Sequence, residues 1–166
     1  ERFWEGVLER DPVSATILGD ERYDDRLPDL GEAGRAADAA AFRATLVEAE
    51  AIGGDGLDPE QVITRDMLML VARTHLEALD QKQYQLAIDH IFGVQTLPVR
   101  IAQYQQADTP ERLERLLTRL AAYPTAIEQT IATLQEGMAD RRTGAAIPVR
   151  KLIEQVERML TLPSAD

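Results

Sequence analysis

The placement of proline constrains the fold of this chain more than any other feature of its sequence. Proline is well tolerated at the first position of an α-helix, because the N–H that it lacks would have no partner there. Pro12 and Pro59 each follow an aspartate that can cap a helix. Residues 58–61 and 108–111 both carry an acidic cap followed three residues later by Gln or Glu. These signals indicate five helix starts: Pro12, Pro59, Pro98, Pro110 and Pro148.

Between these prolines, apolar residues recur at helical spacing. The pattern predicts helices over residues 3–9, 12–18, 32–52, 59–91, 98–105, 110–141 and 148–162. Pro124 is expected to kink or restart the helix 110–141, because its ring removes a backbone hydrogen bond. No stretch alternates apolar and polar residues as a half-buried strand would. The sequence therefore predicts an all-α fold.

The predicted helix lengths suggest the shape of the molecule. A helix of about 33 residues is roughly 50 Å long, whereas a compact chain of 166 residues has a radius of gyration of about 15 Å. The two long helices are therefore expected to lie antiparallel in an elongated bundle of about six helices. We expect residues 1–166 to form a single helical domain. Because the chain opens on Glu1 rather than Met, we also expect it to be a fragment of a longer protein.

Charge and composition exclude several classes of function. The chain has 18 Lys and Arg against 29 Asp and Glu, giving a net charge of −11, and it has no Cys. This balance has the wrong sign for binding nucleic acid or an anionic membrane surface. Without Cys there is no disulfide and no thiolate metal site. No apolar run approaches the ~20 residues of a membrane span. We favour a cytoplasmic location, with secretion as the alternative.

Catalytic motifs are absent from the sequence. His75 and His90 lie on one predicted helix, where their separation corresponds to roughly 22 Å, and neither belongs to a His-Glu-x-x-His motif. Ser14 and Ser164 lack the Gly-x-Ser-x-Gly pattern of a nucleophile elbow. The glycine-rich stretch 53–56 lacks the Lys of a phosphate loop and indicates a turn between helices. We therefore predict no catalytic residue, no cofactor and no bound metal in this chain.

The most distinctive stretch is the polar loop 19–30, with four aspartates, two arginines and one tyrosine. Its spacing does not match a calcium-binding loop, so we expect no response to calcium. Two interpretations remain: an ordered surface loop held by Asp–Arg pairs and caps, or a loop that contacts a ligand or another protein surface. In the second case the candidate contact residues are Tyr23, Asp24, Asp25 and Arg26.

Two shorter stretches also allow more than one interpretation. Residues 93–98 can be a helix end followed by a proline restart, or they can form one wall of a cleft. Residues 141–144, with two arginines and a glycine, indicate a solvated turn at a helix end rather than an anion site.

Several of these motifs resemble a known bacterial family, the domain-of-unknown-function family 885. Phe3-Trp4, Asp11-Pro12, Ala15-Thr16 and the run from Leu18 to Asp29 resemble its amino-terminal signature. Weaker matches are Asp66, Gly93 with Pro98, the block 120–137 and the turn 147–150. The resemblance spans nearly the whole chain, and the run 19–29 is its most specific part.

The resemblance implies a function that the chain does not carry alone. Members of the family are several times longer, largely helical, and look like zinc metallopeptidases with a His-Glu-x-x-His helix in their carboxyl-terminal portion. No residue here matches that motif. The chain would then be a non-catalytic amino-terminal region that forms a wall or lid over the substrate channel. Its partners would be the remainder of its own chain and a peptide substrate, with zinc bound only in the complete protein. The alternative is a free-standing helical interaction or scaffold protein.

Overall fold

The computed structural model describes residues 2–161, and these residues form α-helices and short 3₁₀ turns with no β-strand. The all-α prediction is confirmed, and the predicted number of about six helices is close. The eight helices are α1 (Arg2–Arg10), α2 (Pro12–Ile17), α3 (Glu32–Ala51), α4 (Pro59–Asp80), α5 (Leu97–Tyr104), α6 (Pro110–Ala121), α7 (Tyr123–Ala139) and α8 (Ala146–Leu160).

Local capping chemistry places the helix starts. Asp58 Oδ1 accepts a hydrogen bond from Gln61 N at 2.9 Å, and Gln61 Oε1 accepts one from Asp58 N at 3.1 Å, which completes the capping box. At α6 the cap is Thr109 rather than the predicted Asp108, because the Thr109 hydroxyl accepts from Arg112 N. Proline is the first residue of α2, α4 and α6, whereas α5, α7 and α8 begin slightly before theirs.

The helix predicted over 59–91 is shorter than expected. α4 ends at Asp80, and Lys82 adopts a left-handed conformation with φ of 52°. A 3₁₀ turn over Gln83–Leu86 follows, and α7 holds it in place. The Lys82 ammonium lies 2.7 Å from an Asp140 carboxylate oxygen, and Gln85 Nε2 donates to Glu136 at 2.9 Å. These contacts join residues that are far apart in the sequence, so the apolar pattern of residues 81–91 could not predict them.

The long antiparallel pair is α3 with α4. The Phe42 ring stacks on His75 with centroids 4.3 Å apart, and Arg65 Nη1 donates to the carbonyl oxygen of Ile52 at 3.1 Å. Because the partner number falls as the α3 number rises, the two helices run in opposite directions. The expectation of two long antiparallel helices is confirmed, and these helices are α3 and α4. The second long helical segment was correctly expected to be interrupted near Pro124, since α6 and α7 are separated by Ala122.

A small core lies where α2 and α5 meet the junction of α6 and α7. Val13, Leu97 and Ile101 are buried there, and Leu116 and Tyr123 pack against them. By contrast, no residue of α8 is buried. Within residues 2–161, no helix combines the length and apolarity needed to cross a lipid bilayer.

Candidate functional site

The four residues predicted as a contact loop occupy two different environments. The Tyr23 ring is half-buried, and the guanidinium carbons of Arg22 and Arg26 lie 5.3 and 5.5 Å from its centroid. Asp25 lies 3.5 Å from Arg26 Nε at the surface. Asp24, however, is only 3% exposed. The loop therefore presents three of the candidates near the surface and turns the fourth inward.

Asp24 belongs to a buried polar network that joins α2, α5 and α6. Its Oδ1 accepts a hydrogen bond from the Thr16 hydroxyl at 2.5 Å. Arg119, with 0% exposure, donates from Nη1 to Thr16 Oγ1 and to Gln105 Oε1, both at 2.9 Å. Arg119 Nη2 donates to the carbonyl oxygen of Tyr23 at 2.6 Å, and Gln105 Nε2 donates to that of Asp24 at 2.9 Å. The guanidinium thus fixes the loop backbone from within.

The electrostatics of this network are those of a structural site. Burial lowers the pKa of the Arg119 guanidinium, and the nearby carboxylates of Asp24 and Asp25 oppose that shift. The guanidinium stays protonated, since arginine does not deprotonate in proteins. Its Nη2 lies 3.5 Å from Asp24 Oδ1, and its Nε has no hydrogen-bond partner among the described residues. The cluster therefore positions the loop.

The outer side of the loop is tied to α6 and α1. Arg112 Nη2 lies 2.7 Å from Glu21 Oε1, and Arg115 Nη1 donates to the Glu21 carbonyl oxygen at 3.0 Å. Arg22 pairs with Asp20 at 2.6 Å and with Glu5 at 2.7 Å. The hydrogen bonds from Arg22 lower the pKa of Asp20. The structure therefore shows an ordered loop held by Asp–Arg pairs and caps, while contact with substrate or another protein surface stays a prediction.

Arg119 and Gln105 were not among the sequence candidates. One signal pointed to Arg119: it lies three residues after Leu116, and side chains at this spacing share one face of a helix. A cation in that position requires a buried partner. Gln105 carries no comparable signal, since it follows the last turn of α5.

The segment 93–98 contains the predicted restart but not the predicted helix end. Val94–Thr96 form a 3₁₀ turn that leads into α5, whereas α4 already ends at Asp80. Gly93, Val94 and Leu97 also line a cavity of about 460 Å³, as expected for one wall of a cleft. On the other side, Gly93 and Val94 line an apolar groove of about 340 Å³ between α7 and α8. The groove is walled mainly by aliphatic side chains, among them Ile127, Ile131, Leu152, Val156 and Leu160.

Comparison with known protein families identifies the chain. The family described as "Bacterial protein of unknown function (DUF885)" matches residues 12–166, and this match includes the loop, the buried network and the α7–α8 groove. The chain belongs to the DUF885 family. No curated protein matches this DUF885 chain.

The zinc ion that the resemblance implies for complete DUF885 proteins does not fit the residues described here. His75 stacks on Phe42, and its Nδ1 lies 3.3 Å from the carbonyl oxygen of Val71. The Nδ1 of His90 is buried without a hydrogen-bond partner in the described part of the chain. Across residues 2–161, no group of three or more His, Asp or Glu side chains is placed to hold a metal ion. No catalytic step can be derived through zinc bound to these residues.

Proposed function

We propose that this chain is the non-catalytic amino-terminal helical region of a zinc-dependent peptidase or hydrolase. Membership of the DUF885 family supports the proposal, together with the resemblance of its amino-terminal motifs to those of longer, zinc-dependent members. In the complete protein, zinc would polarise the scissile carbonyl and activate water in a portion outside this chain. The helices described here would form a wall or lid beside that site.

The observation that carries the proposal is the uncovered apolar face of α8. Ile153 is 52% exposed, Met159 40% and Leu160 80%, although they lie on an amphipathic helix. Burying apolar surface contributes about 25 cal/mol per Å², so an open face of this kind favours a protein partner. In the proposal, the catalytic portion of the same polypeptide covers α8 and the groove beside it.

The loop 19–29 supplies the second proposed contact. Tyr23, Asp25 and Arg26 lie toward the surface, whereas Asp24 anchors the loop from within. Because the buried network joins the loop to α6, the surface that it presents is fixed before any partner arrives. The proposed role of these three side chains is to contact the catalytic portion or the substrate.

A free-standing scaffold protein is the alternative function, and α4 provides an observation in its favour. Ile63, Met67 and Leu70 are 64%, 54% and 57% exposed, and their spacing places them on one face of the helix. A second copy of the chain could cover such a stripe without any catalytic partner.

The decisive experiment compares the complete natural gene product with the 166-residue chain. Zinc content is measured by mass spectrometry, and hydrolysis is followed on a mixed peptide library. We expect the complete protein to bind one zinc per chain and to cleave peptides, and the chain alone to do neither. Replacing the glutamate of the His-Glu-x-x-His motif by glutamine is the control, which should keep the zinc and abolish cleavage. Hydrolysis by the chain alone, or a natural product without that motif, would overturn the proposal.

A further inference from the structure

We propose that the cavity of about 460 Å³ binds a small carboxylate with an apolar body, and that Arg100 holds the carboxylate. The inference goes beyond the proposed function, since it requires neither zinc nor peptide cleavage. A cavity of this volume lies within the range that proteins use for small-molecule ligands. Most of its wall is apolar, including Val13, Leu30, Leu79, Val94, Leu97 and Leu134.

Protein donors already hold all three carboxylates that line the cavity. Asp38 Oδ1 lies 2.7 Å from Arg10 Nε. Asp29 Oδ1 accepts from Gln129 Nε2 at 2.7 Å and from Gly31 N at 2.9 Å. Asp11 Oδ1 accepts from Ser14 N at 3.1 Å, which caps α2.

The two arginines of the wall differ. The Arg35 guanidinium donates to the carbonyl oxygen of Leu30 at 3.0 Å and to the Thr133 hydroxyl at 3.2 Å, and it lies 3.6 Å from Glu136. Arg100 is half-buried, and no carboxylate in residues 2–161 lies within 4.0 Å of its nitrogens. Its guanidinium carbon lies 6.0 Å from the centroid of the Phe92 ring. Arg100 is therefore the charged group of this cavity that is available to a ligand.

The surroundings of Arg100 favour a carboxylate over a phosphate. A guanidinium fork matches the two oxygens of a carboxylate and forms charge-assisted hydrogen bonds with them. One available cation balances a single negative charge, and the aspartates of the wall repel a dianion about twice as strongly as a monoanion. The apolar wall accommodates the rest of the ligand by burial of apolar surface.

Calorimetric titration of the 166-residue chain tests the inference with three probes that share a phenyl ring on a four-carbon chain: 4-phenylbutyrate, 4-phenylbutan-1-ol and 4-phenylbutyl phosphate. We expect saturable binding of 4-phenylbutyrate at one site, with at least about tenfold weaker binding of the alcohol, since the alcohol forms no charge-assisted hydrogen bond with two oxygens. Tighter binding of the phosphate would overturn the choice of carboxylate. Equal binding of the alcohol, or no saturable binding of any probe, would overturn the site.

Variants locate the site. Arg100→Gln is expected to weaken 4-phenylbutyrate by at least about tenfold and to leave the alcohol unchanged. Arg43→Gln is the matched control, because it removes the same charge from an exposed position on α3 outside the cavity. Nuclear magnetic resonance provides a second readout. Binding in the cavity should change the amide chemical shifts of Val94 and Leu97, whereas binding elsewhere on the protein surface should not. Equal loss of affinity in both variants would overturn the role of Arg100.

Discussion

At Arg119 a full positive charge lies inside a small helical protein with no exposure to solvent. Removing a charge from water is costly, and the cost is offset here by hydrogen bonds to Thr16, Gln105 and the Tyr23 carbonyl oxygen. Asp24 is buried beside Arg119, so removal of either side chain leaves the other buried without its ion-pair partner. The network fixes the loop 19–29 against α6.

Removing one member of the Arg119–Asp24 pair should therefore destabilise the protein strongly. We expect Arg119→Met to lower the free energy of unfolding by about 3–5 kcal/mol, because Asp24 is left buried and unpaired. The double variant Arg119→Met/Asp24→Asn should recover part of that loss, which a double-mutant cycle in urea would measure. Arg115→Met is the control, with an expected change within about 0.5 kcal/mol because its guanidinium is at the surface. Strict additivity in the cycle would contradict the coupling.

Sequence reasoning identified the loop as distinctive but did not predict which of its aspartates is buried. The partner of Asp24 lies 95 residues away in the chain, and no local pattern encodes that contact. The surface pairs of Asp20 with Arg22 and of Asp25 with Arg26 are close in sequence, and for that reason an Asp–Arg interpretation of the loop was available.

Among the helices, starts were predicted better than ends or partners. Capping depends on residues within one turn, so Pro12, Pro59 and Pro110 marked true starts. The end of α4 depends instead on α7, whose Glu136 and Asp140 bind the turn after Asp80. The α3–α4 pairing likewise depends on contacts between helices, which periodicity does not specify.

The first turn of α3 packs closely against the end of the polar loop. A Cβ at Gly34 would overlap the carbonyl oxygen of Asp29, which is backbone and cannot rotate away. We expect Gly34→Ala to lower the free energy of unfolding by about 1–3 kcal/mol. Gly53→Ala is the matched control, since a Cβ there has no neighbour within 4 Å, and its effect should stay within about 0.5 kcal/mol. Equal stability of the two variants in urea would contradict the close packing.

The contact between α7 and the turn after α4 should depend on pH. Hydrogen bonds from Gln85 and Tyr84, with the charges of Lys82 and Arg35, hold the pKa of Glu136 below its ordinary value of 4.5. A lowered folded-state pKa means that the carboxylate stabilises the fold above about pH 4.5, and that this contribution is lost as the pH falls through the folded-state pKa.

Glu136→Gln should therefore lower the Tm near neutral pH, and its difference from the natural protein should shrink in acid. Thermal unfolding followed by circular dichroism from about pH 7 to about pH 3 measures the difference. Glu128→Gln, on an exposed position of the same helix, should leave the pH profile unchanged. A Tm difference for Glu136→Gln that stays constant across this range would contradict the assigned role.

The whole molecule combines one well-buried junction of helices with several exposed apolar faces. The core around Val13, Leu97 and Ile101 is covered, and so is the Arg119 network. The faces of α8 and of the α7–α8 groove remain open. These open faces support our proposal that further protein completes the helical region of this member of the DUF885 family.

Hydrogen exchange measured on the 166-residue chain and on the complete natural protein tests this interpretation most directly. We expect the amides of α8 to exchange at least about tenfold more slowly in the complete protein, because the proposal has the catalytic portion covering this helix. The amides of Val13, Ala15 and Thr16 serve as the internal reference, since these residues of α2 are already buried. Equal exchange of α8 in both proteins would contradict the claim that this face packs against the rest of a longer enzyme.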